Sequence, residues 1–260
     1  MSTELPFLAL SVGNTTTRIA SIKGDALSNV TSTPSNDLTH IIERAIEAWK
    51  AIGDSESQII IASSNDSLAL DLSKAIADQT SSTIWMIGTD LPVAIGQHLD
   101  PETITGIDRL LNAAAAWDKY KQACVIVDAG TCVTVDFVDG EGTFHGGAIA
   151  PGAAMQLKAM HDGTNSLPEI TFEKPLEEAF GKNTAQAMLQ GVYHGIKGMV
   201  RQLTEQYASR YGAYPMIVAT GGNATLLFEH DEFIEHIEPN LLFKGIAVSV
   251  KHALAIDENE

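Results

Sequence analysis

The sequence predicts an α/β protein built from two related lobes with a cleft between them. The first observation is an internal similarity, in which residues 9–20 align without a gap with residues 126–137. The second is that strands alternate with helices in both halves, a pattern typical of folds whose ligands lie where strand ends and loops meet. No linker rich in Gly, Ser or Pro separates the halves, so we expect the two lobes to pack closely. We therefore divide the chain into lobes at 1–120 and 121–260.

Both similar segments are expected to be β-hairpins. Each consists of an apolar strand, a short polar turn with a glycine, and a second strand of alternating character. The turn glycines, Gly13 and Gly130, allow backbone N–H groups to approach an anion closely, and nearby Asn and Thr side chains supply further donors. Two such turns facing each other could hold a polyphosphate between them.

Caps and periodicity indicate the other elements. Asn36 or Asp37 can cap a helix that runs to Trp49, because apolar residues recur on one face and a glycine follows as a stop. A longer helix is predicted over 184–211, with Gly212 at its C-terminus. The remaining predictions are strands at 58–63, 83–87, 123–128 and 216–219 and helices at 67–77 and 106–120.

Composition argues against several classes of partner and cofactor. The formal net charge is −17, from 33 acidic and 16 basic residues, which argues against nucleic acid or an anionic membrane surface as partner. No apolar stretch approaches the length of a signal-peptide core or a membrane span, so we expect a cytoplasmic protein. Cys124 and Cys132 are expected to be free thiols. The eight histidines are scattered, and neither a zinc motif nor a Rossmann or Walker motif is found.

The segment Gly106-Ile107-Asp108-Arg109 follows a loop and opens a predicted helix. Backbone amides at a helix start and an arginine favour an anion, and Asp108 could accept a proton from a substrate hydroxyl while Arg109 binds a carboxylate or phosphate. The alternative is a helix N-cap with an ordinary surface pair. Spacing alone does not decide between them.

Asp128 ends a very apolar strand, where a carboxylate is costly to bury unless it binds a cation or hydrogen-bond donors. Its place beside a glycine turn suits a hydrated metal that accompanies phosphate, whereas the alternative is a plain turn-initiating aspartate.

Three further segments are rich in glycine or polar residues. Residues 145–152 could approach a substrate through backbone alone, or could form a tight pair of turns. Residues 181–184 precede the long helix, for which Thr184 is a natural N-cap. Residues 220–223 follow a strand and could bind a nucleoside or phosphate, or could be a strand-to-helix turn.

In this order, the segments resemble those of the type III pantothenate kinases, a family of the actin, sugar kinase and Hsp70 superfamily that includes the Bvg accessory factor proteins. The matching stretches span nearly the whole chain: 13–15, 106–109 with Asn112, 127–131, 146–152, 181–184 and 220–223. The resemblance implies two lobes of the actin-like ATPase (ribonuclease H-like) type with an interlobe cleft. It also implies phosphorylation of pantothenate to 4′-phosphopantothenate, the first step of coenzyme A synthesis, with ATP and Mg²⁺.

The resemblance implies a role for each matching residue. Asp108 would be the general base on the pantothenate hydroxyl, and Asp128 would hold the monovalent cation, K⁺ or NH₄⁺, that the family requires. Thr184 would complete the substrate pocket of the neighbouring subunit, so a homodimer is implied. The other implied pantothenate-binding residues are Gly106, Ile107, Arg109 and Gly147. The implied ATP-binding residues are Ser11, Gly13, Asn14, Thr15, Thr16, Arg18, Gly130, Thr131, Gly221 and Gly222.

The chain departs from the family pattern near both ligands. Ser11 stands where the family has an aspartate, and a hydroxyl lacks the charge that attracts Mg²⁺. The tyrosine that the family has shortly before the substrate loop is absent, and residues 97–99 stand in that vicinity. The segment from Pro101 to Gly106 is one residue longer than in the family. The alternatives to a pantothenate kinase are a regulatory protein that binds nucleotide or pantothenate without catalysis, and a kinase for another small hydroxylated acid.

Overall fold

The computed structural model describes residues 6–53 and 57–257, which form two compact units. The first unit contains the described residues up to Gly96, Asp100–Lys119 and those from Leu241 onward, and the second contains Gln97–Leu99 and Tyr120–Asn240. In chain order the elements are β1 (Phe7–Val12), β2 (Thr16–Lys23), β3 (Ala26–Pro34), α1 (Leu38–Ile52), β4 (Gln58–Ser63), α2 (Asp66–Thr80), β5 (Ile84–Met86), β6 (Gly96–Gln97), α3 (Ile107–Tyr120), β7 (Cys124–Ala129), β8 (Cys132–Val138), β9 (Thr143–Pro151), α4 (Ala153–Asp162), α5 (Thr184–Tyr211), β10 (Met216–Thr220), α6 (Ala224–Phe228), β11 (His236–Ile237) and α7 (Leu241–Asp257).

The first unit is built on a five-stranded sheet in the order β3-β2-β1-β4-β5. Strands β1, β2 and β3 pair antiparallel, whereas β4 and β5 continue the sheet in parallel, as a βαβ connection requires. Side chains alternate across β1, so that Leu8 and Leu10 pack with apolar residues of α1 and α2, while Ala9 packs in a separate cluster with Phe243 and Ile246 of α7. Helices therefore cover both faces of this sheet.

Local signals explain the first helix of this unit. Asp37 is the N-cap of α1 and its carboxylate accepts the N–H of His40, while Gly53 ends the helix in the left-handed conformation with φ of 73°. The buried residues Ile41, Ala45 and Ile46 lie on one face. The predicted cap and glycine stop of this helix are confirmed, whereas the helix continues past Trp49 to Ile52.

The second unit is built on a six-stranded sheet in the order β11-β10-β7-β8-β9-β6. Strand β7 pairs antiparallel with β8 and parallel with β10, and β9 pairs antiparallel with β8. Val125, Val127 and Ala129 of β7 face a large apolar cluster that includes residues of α4 and α5. Helix α5 runs over Thr184–Tyr211 as predicted and ends at Gly212 with φ of 85°.

The two predicted hairpins are both present, but the gapless alignment is wrong in their second strands. Val12 pairs with Thr17 beside the first turn, whereas Ala129, its counterpart, pairs with Val133 beside the second. The second turn is therefore one residue shorter. Because side chains alternate with a period of two, a shift of one residue reverses the face of every position. The structural counterpart of Ile19 is thus Val135, and both are buried.

Strand β9 corrects one expectation from the sequence. Residues 145–152 are not a pair of turns, because Thr143–Pro151 forms a strand whose residues Gly147 and Ala150 pair with Asp136 and Val133 of β8. A Cβ on Gly147 would overlap the carbonyl oxygen of Val135 and would lie 2.5 Å from Asp136 Oδ1. Glycine is therefore required at 147 because the neighbouring strand leaves no room for a side chain.

Helix α7 belongs to the first unit, although it follows the second unit in the chain. Its buried residues Phe243, Ile246, Val250 and Leu254 join Leu111 of α3 and the β1–β4 face of the sheet in one cluster. A Cβ on Gly245 would overlap the carbonyl oxygen of Leu111, so the backbones of α3 and α7 approach closely there. The lobe limits of 1–120 and 121–260 did not anticipate this return of the chain.

No described helix is both long and apolar enough to cross a membrane.

Candidate functional site

In the second unit, the predicted cation residue and the predicted nucleoside segment lie side by side. Strands β7 and β10 are neighbours and parallel, and Asp128 is the partner of Thr220 in their register. The segments that follow them, Gly130-Thr131 and Gly221-Gly222-Asn223, therefore leave the sheet at the same edge. Residues separated by about ninety positions in sequence are brought together by strand pairing.

Gly221 fixes the contact between these two segments. It has φ of +94°, and a Cβ there would overlap Asp128 Oδ1 and lie 2.7 Å from the backbone nitrogen of Ala129. The N–H of Asn223 donates to the carbonyl oxygen of Ala129 at 2.9 Å, which ties the segment to the end of β7. Gly222 differs, because a Cβ there meets no atom within 4 Å. Only the first of the two glycines is sterically required.

The second turn is also packed against the end of β9. The N–H of Gly152 donates to the carbonyl oxygen of Thr131 at 3.0 Å. A Cβ on Gly152 would overlap the carbonyl oxygens of both Gly130 and Thr131. The glycine at 152 thus has a steric reason, since only glycine lets the start of α4 approach the turn.

The donor atoms around Asp128 suit a hard cation. A carboxylate and nearby backbone carbonyl oxygens are the ligands that such ions take in proteins. Within residues 6–53 and 57–257, no group of three or more His, Cys, Asp and Glu side chains could hold a metal ion. A cation here would therefore be held by Asp128 with backbone, water or ligand oxygens.

In the first unit, the turn after β1 is braced by the segments around it. The N–H of Gly13 donates to the carbonyl oxygen of Thr16 at 3.1 Å, and Ser35 Oγ donates to the carbonyl oxygen of Gly13 at 2.7 Å. Asn14 Nδ2 donates to the carbonyl oxygen of Ser64 at 3.4 Å. Asn14 and Thr15 themselves are exposed at the tip of the turn. The turn is held in place while its tip stays accessible to a ligand.

Ser11 occupies the position in the first hairpin that Asp128 occupies in the second. Each is the residue before the last paired residue of its strand, with Arg18 opposite Ser11 and Thr134 opposite Asp128. The guanidinium of Arg18 lies 5.2 Å from the ring centroid of Phe243, in a cation–π contact. The first hairpin therefore has a hydroxyl facing a cation where the second has a carboxylate.

The predicted substrate loop leads into α3, which begins at Ile107. Asp108 lies in the first turn, where its Oδ1 accepts the N–H of Arg109 at 2.9 Å. A Cβ on Gly106 would lie only 2.6 Å from the same oxygen, so glycine is needed to let this carboxylate fold back over the helix start. Ile107 packs in the core beneath, which holds the turn. Asp108 and Arg109 are both partly exposed.

The prediction that Thr184 caps α5 is wrong by one residue. Asn183 is the N-cap, because its Oδ1 accepts the N–H of Gln186 at 2.9 Å. Thr184 is the first helical residue and is exposed. Its hydroxyl is thus not required by the cap, which leaves it available for contacts outside the chain.

Sequence reasoning did not single out Asp136 and did not define the surroundings of Cys124, and both residues are buried. Asp136 is 1% exposed and lies opposite Gly147, in a strand whose apolar pattern concealed it. Both cysteines are free. Burial, together with the charge of Glu235, raises the pKa of Cys124 to about 12, so this thiol stays protonated at neutral pH. Cys124 is a core residue rather than a reactive one.

Comparison with solved structures identifies the class of fold. The chain superimposes on a Campylobacter jejuni protein described as a Baf family transcriptional activator, with a TM-score of 0.62 and 19% identity, over 98% of this chain and 100% of the other. It also matches the ethanolamine utilization protein EutJ from Carboxydothermus hydrogenoformans, with a TM-score of 0.54 and 14% identity, over 94% and 89% of the two chains. The fold is that of the actin-like ATPases.

Sequence similarity then gives the family. A type III pantothenate kinase family model matches residues 7–206. Type III pantothenate kinase from Rhodospirillum rubrum is 32% identical over 249 residues, 93% of this chain and 96% of its own. The enzyme from Dehalococcoides mccartyi strain CBDB1 is 29% identical over 245 residues, 92% and 93% of the two chains. The chain belongs to the type III pantothenate kinase family.

Proposed function

We propose that this chain transfers the terminal phosphoryl group of ATP to the hydroxyl of pantothenate, giving 4′-phosphopantothenate for coenzyme A synthesis. The family match over residues 7–206 carries this proposal, because it includes segments of both units that bear candidate site residues. We place the reaction in the cytoplasm, where ATP and pantothenate are both available.

In the first unit, we assign proton transfer and substrate binding to the start of α3. Asp108 acts as the general base that takes the proton of the pantothenate hydroxyl, since its carboxylate is partly exposed and is oriented by the N–H of Arg109. Arg109 binds an anionic group of the substrate, and Gly106 and Ile107 shape the loop. We assign Gly147, in the second unit, and Thr184, from a neighbouring subunit, to the same substrate.

We assign ATP to the glycine-containing turns. Phosphoryl transfer requires mainly positioning and neutralisation of charge, which backbone N–H groups and hydroxyls at such turns supply. Asp128 holds a monovalent cation, K⁺ or NH₄⁺, with nearby oxygen atoms, and Mg²⁺ accompanies ATP to offset its phosphate charge. The residues assigned to ATP are Ser11, Gly13, Asn14, Thr15, Thr16 and Arg18 in the first unit and Gly130, Thr131, Gly221 and Gly222 in the second.

The proposal is tested with the purified full chain in a coupled assay that follows ATP consumption with pantothenate as acceptor. The buffer contains Mg²⁺ and either K⁺ or NH₄⁺, with Na⁺ as the comparison. We expect pantothenate-dependent turnover and the appearance of 4′-phosphopantothenate by mass spectrometry. A folded preparation that consumes no ATP above background with pantothenate, but does so with another hydroxylated acid, would assign a different substrate.

Ser11→Asp is expected to raise activity. A carboxylate at the end of β1 restores the charge that attracts Mg²⁺, so the Mg²⁺ concentration for half-maximal rate is expected to fall on the order of tenfold, about 1.4 kcal/mol. The measurement is the initial rate as a function of Mg²⁺ concentration at saturating ATP and pantothenate.

Ser32→Asp is the matched control for this substitution. Ser11 and Ser32 flank Arg18 on its two sides in the sheet, so both variants place a new carboxylate beside the same guanidinium. If the two variants change the Mg²⁺ dependence equally, the effect comes from neutralising Arg18 and our assignment of Ser11 is wrong.

We also propose that the chain forms a homodimer through the surface around the start of α5. Large apolar side chains are exposed there, with Leu176 at 60% and Phe180 at 80% exposure. This segment is fixed to the helix, because Gln190 Nε2 donates to the carbonyl oxygens of Leu176 and Glu178. Thr184 lies at the same helix start. An interface at this surface is therefore consistent with our assignment of Thr184 to the substrate pocket of the neighbouring subunit.

Phe180→Ser is expected to weaken the dimer, because it removes an apolar side chain from the proposed interface. Analytical ultracentrifugation at micromolar concentration measures the monomer fraction, which we expect to rise several-fold. Ile104→Ser, which changes a residue of the first unit that is 98% exposed, is the control and is expected to have no effect. An equal shift in both variants would contradict this interface.

A further inference from the structure

Ser35 lies beside the first turn, between β1 and β2, although 22 positions of chain separate it from Gly13. The antiparallel pairing of β2 and β3 places Pro34 opposite Thr16, so the residue that follows Pro34 meets the turn. Ser35 is only 7% exposed. A hydroxyl group buried to this extent is normally hydrogen-bonded, and its partners indicate what it does.

Ser35 is hydrogen-bonded to three residues of the first hairpin. Its N–H donates to the carbonyl oxygen of Thr15 at 2.9 Å, and its Oγ donates to the carbonyl oxygen of Gly13 at 2.7 Å. Its Oγ also lies 3.0 Å from Oγ1 of the buried Thr17. Because Ser35 has a single hydroxyl proton and donates it to Gly13, Thr17 is the donor of this last bond. The hydroxyl bonds therefore run in one direction, in which each strengthens the next.

These bonds fix the direction of the peptide unit between Gly13 and Asn14. The peptide units that the structure describes are trans, and in a trans unit the C=O and the N–H point to opposite sides. Since the carbonyl group of Gly13 is turned toward Ser35, the N–H of Asn14 is directed away from Ser35, at the exposed tip of the turn. An anion is bound by N–H groups, whereas a reversed unit would present a carbonyl oxygen to it.

Gly13 makes this orientation dependent on an outside contact. A glycine restricts its backbone less than any other residue, so the peptide unit beside it reverses readily unless it is held. Glycine is nevertheless required, because a Cβ here would lie 2.8 Å from the carbonyl oxygen of Thr16. The first turn thus needs a flexible residue for steric reasons, and the bond from Ser35 removes the flexibility that this residue brings.

We propose that Ser35 is a positioning residue for the polyphosphate of ATP. It acts through the backbone of Gly13, by keeping the N–H of Asn14 turned toward a phosphate oxygen before the ligand arrives. A donor that is already oriented needs no reorganisation on binding. Thr17 supports this role, because its hydroxyl orients that of Ser35. The inference rests on the proposed assignment of ATP to the first turn.

Ser35→Ala is expected to weaken the affinity for MgATP about tenfold, because the Gly13 carbonyl group loses its donor and the peptide unit is no longer held. Isothermal titration calorimetry with the full chain measures this affinity without any acceptor. Adenosine, which has no phosphate, is the comparison ligand, and its affinity is measured by displacement of MgATP. We expect Ser35→Ala to bind adenosine as the unmodified chain does.

Thr17→Val is the second variant, and it decides the question if Ser35→Ala does not fold. Valine keeps the shape of the side chain and removes the hydroxyl that orients Ser35, so we expect MgATP affinity to fall about threefold. Adenosine affinity is again expected to stay unchanged.

Thr80→Val is the matched control for Thr17→Val. Thr80 is also a buried threonine of the first unit, and its hydroxyl donates to the carbonyl oxygen of Ile76 at 2.9 Å. It lies before β5, whose amino end is at the edge of the sheet opposite the first turn, since β1, β4 and β5 are parallel. We expect the melting temperature to fall as in Thr17→Val, whereas MgATP affinity is expected to remain that of the unmodified chain.

The proposal is overturned if Ser35→Ala binds MgATP as tightly as the unmodified chain, if its affinity for adenosine falls by the same factor, or if Thr17→Val and Thr80→Val lose equal affinity. An unmodified chain that binds MgATP but does not phosphorylate pantothenate would refute the proposed function and leave the role of Ser35 intact. An unmodified chain that does not bind MgATP would refute the assignment of the first turn and the role of Ser35 together.

Discussion

Asp108→Asn is expected to reduce pantothenate-dependent turnover by roughly 10²–10⁴-fold, the usual contribution of a general base. The amide keeps the shape of the side chain and still offers an oxygen to the N–H of Arg109, so the start of α3 is preserved. What the variant lacks is a group that can take the hydroxyl proton. Affinity for ATP is therefore expected to change little, since the base acts on the acceptor rather than on the nucleotide.

Rapid-quench measurement of single turnovers gives the rate of the chemical step, and calorimetric titration gives the affinity for ATP. Asp71→Asn, which changes an exposed aspartate of α2 in the same unit, is the control and is expected to be fully active. Equal losses of turnover and ATP affinity in Asp108→Asn would show that Asp108 supports nucleotide binding or folding instead of proton transfer.

Gly221→Ala is expected to be strongly damaging to the second unit's site. The added Cβ would overlap Asp128 Oδ1 and press on Ala129, and alanine is also strained at φ of +94°. Strain of this kind costs on the order of 1–3 kcal/mol before any steric overlap is relieved. We expect the melting temperature to fall by several degrees and affinity for MgATP to fall at least tenfold, because Asp128 must move.

Gly222→Ala is the matched control, since the neighbouring glycine has open space where the methyl group would go. We expect its melting temperature and MgATP affinity to remain close to those of the unmodified chain. Differential scanning calorimetry with and without MgATP measures both effects. If the two variants lose equal affinity, the methyl group obstructs the nucleotide directly and the contact of Gly221 with Asp128 is not the cause.

Much of the local structure could be predicted because its determinants lie close together in the chain. The limits of α1 follow from Asp37 and Gly53, and the end of α5 follows from Gly212, since caps and left-handed glycines act within one helical turn. The two hairpins were recognisable from alternation around a glycine. The candidate residues Asp108 and Asp128 were found for a similar reason, because each stands at the end or beginning of an element.

Other features depended on contacts that no local pattern specifies. The one-residue difference between the two turns is visible only in the strand register, and the strand nature of residues 143–151 follows from pairing with β8. The hydrogen bonds of Ser35 to Gly13 and Thr15 arise because β3 pairs with β2, which brings the residue after β3 beside the first turn.

The sequence by itself therefore determined the class of fold, the two hairpins with their glycine turns, most helix limits to within a few residues, and the candidate acid groups. Only the tertiary structure decided that α7 returns to the first unit, where Phe243 and Ile246 cover a face of its sheet, and that Gly221 rests against Asp128. The physical reason is that an apolar or glycine-rich pattern indicates that a segment packs closely against another part of the protein. Which partner it packs against is settled by the free energy of the whole fold.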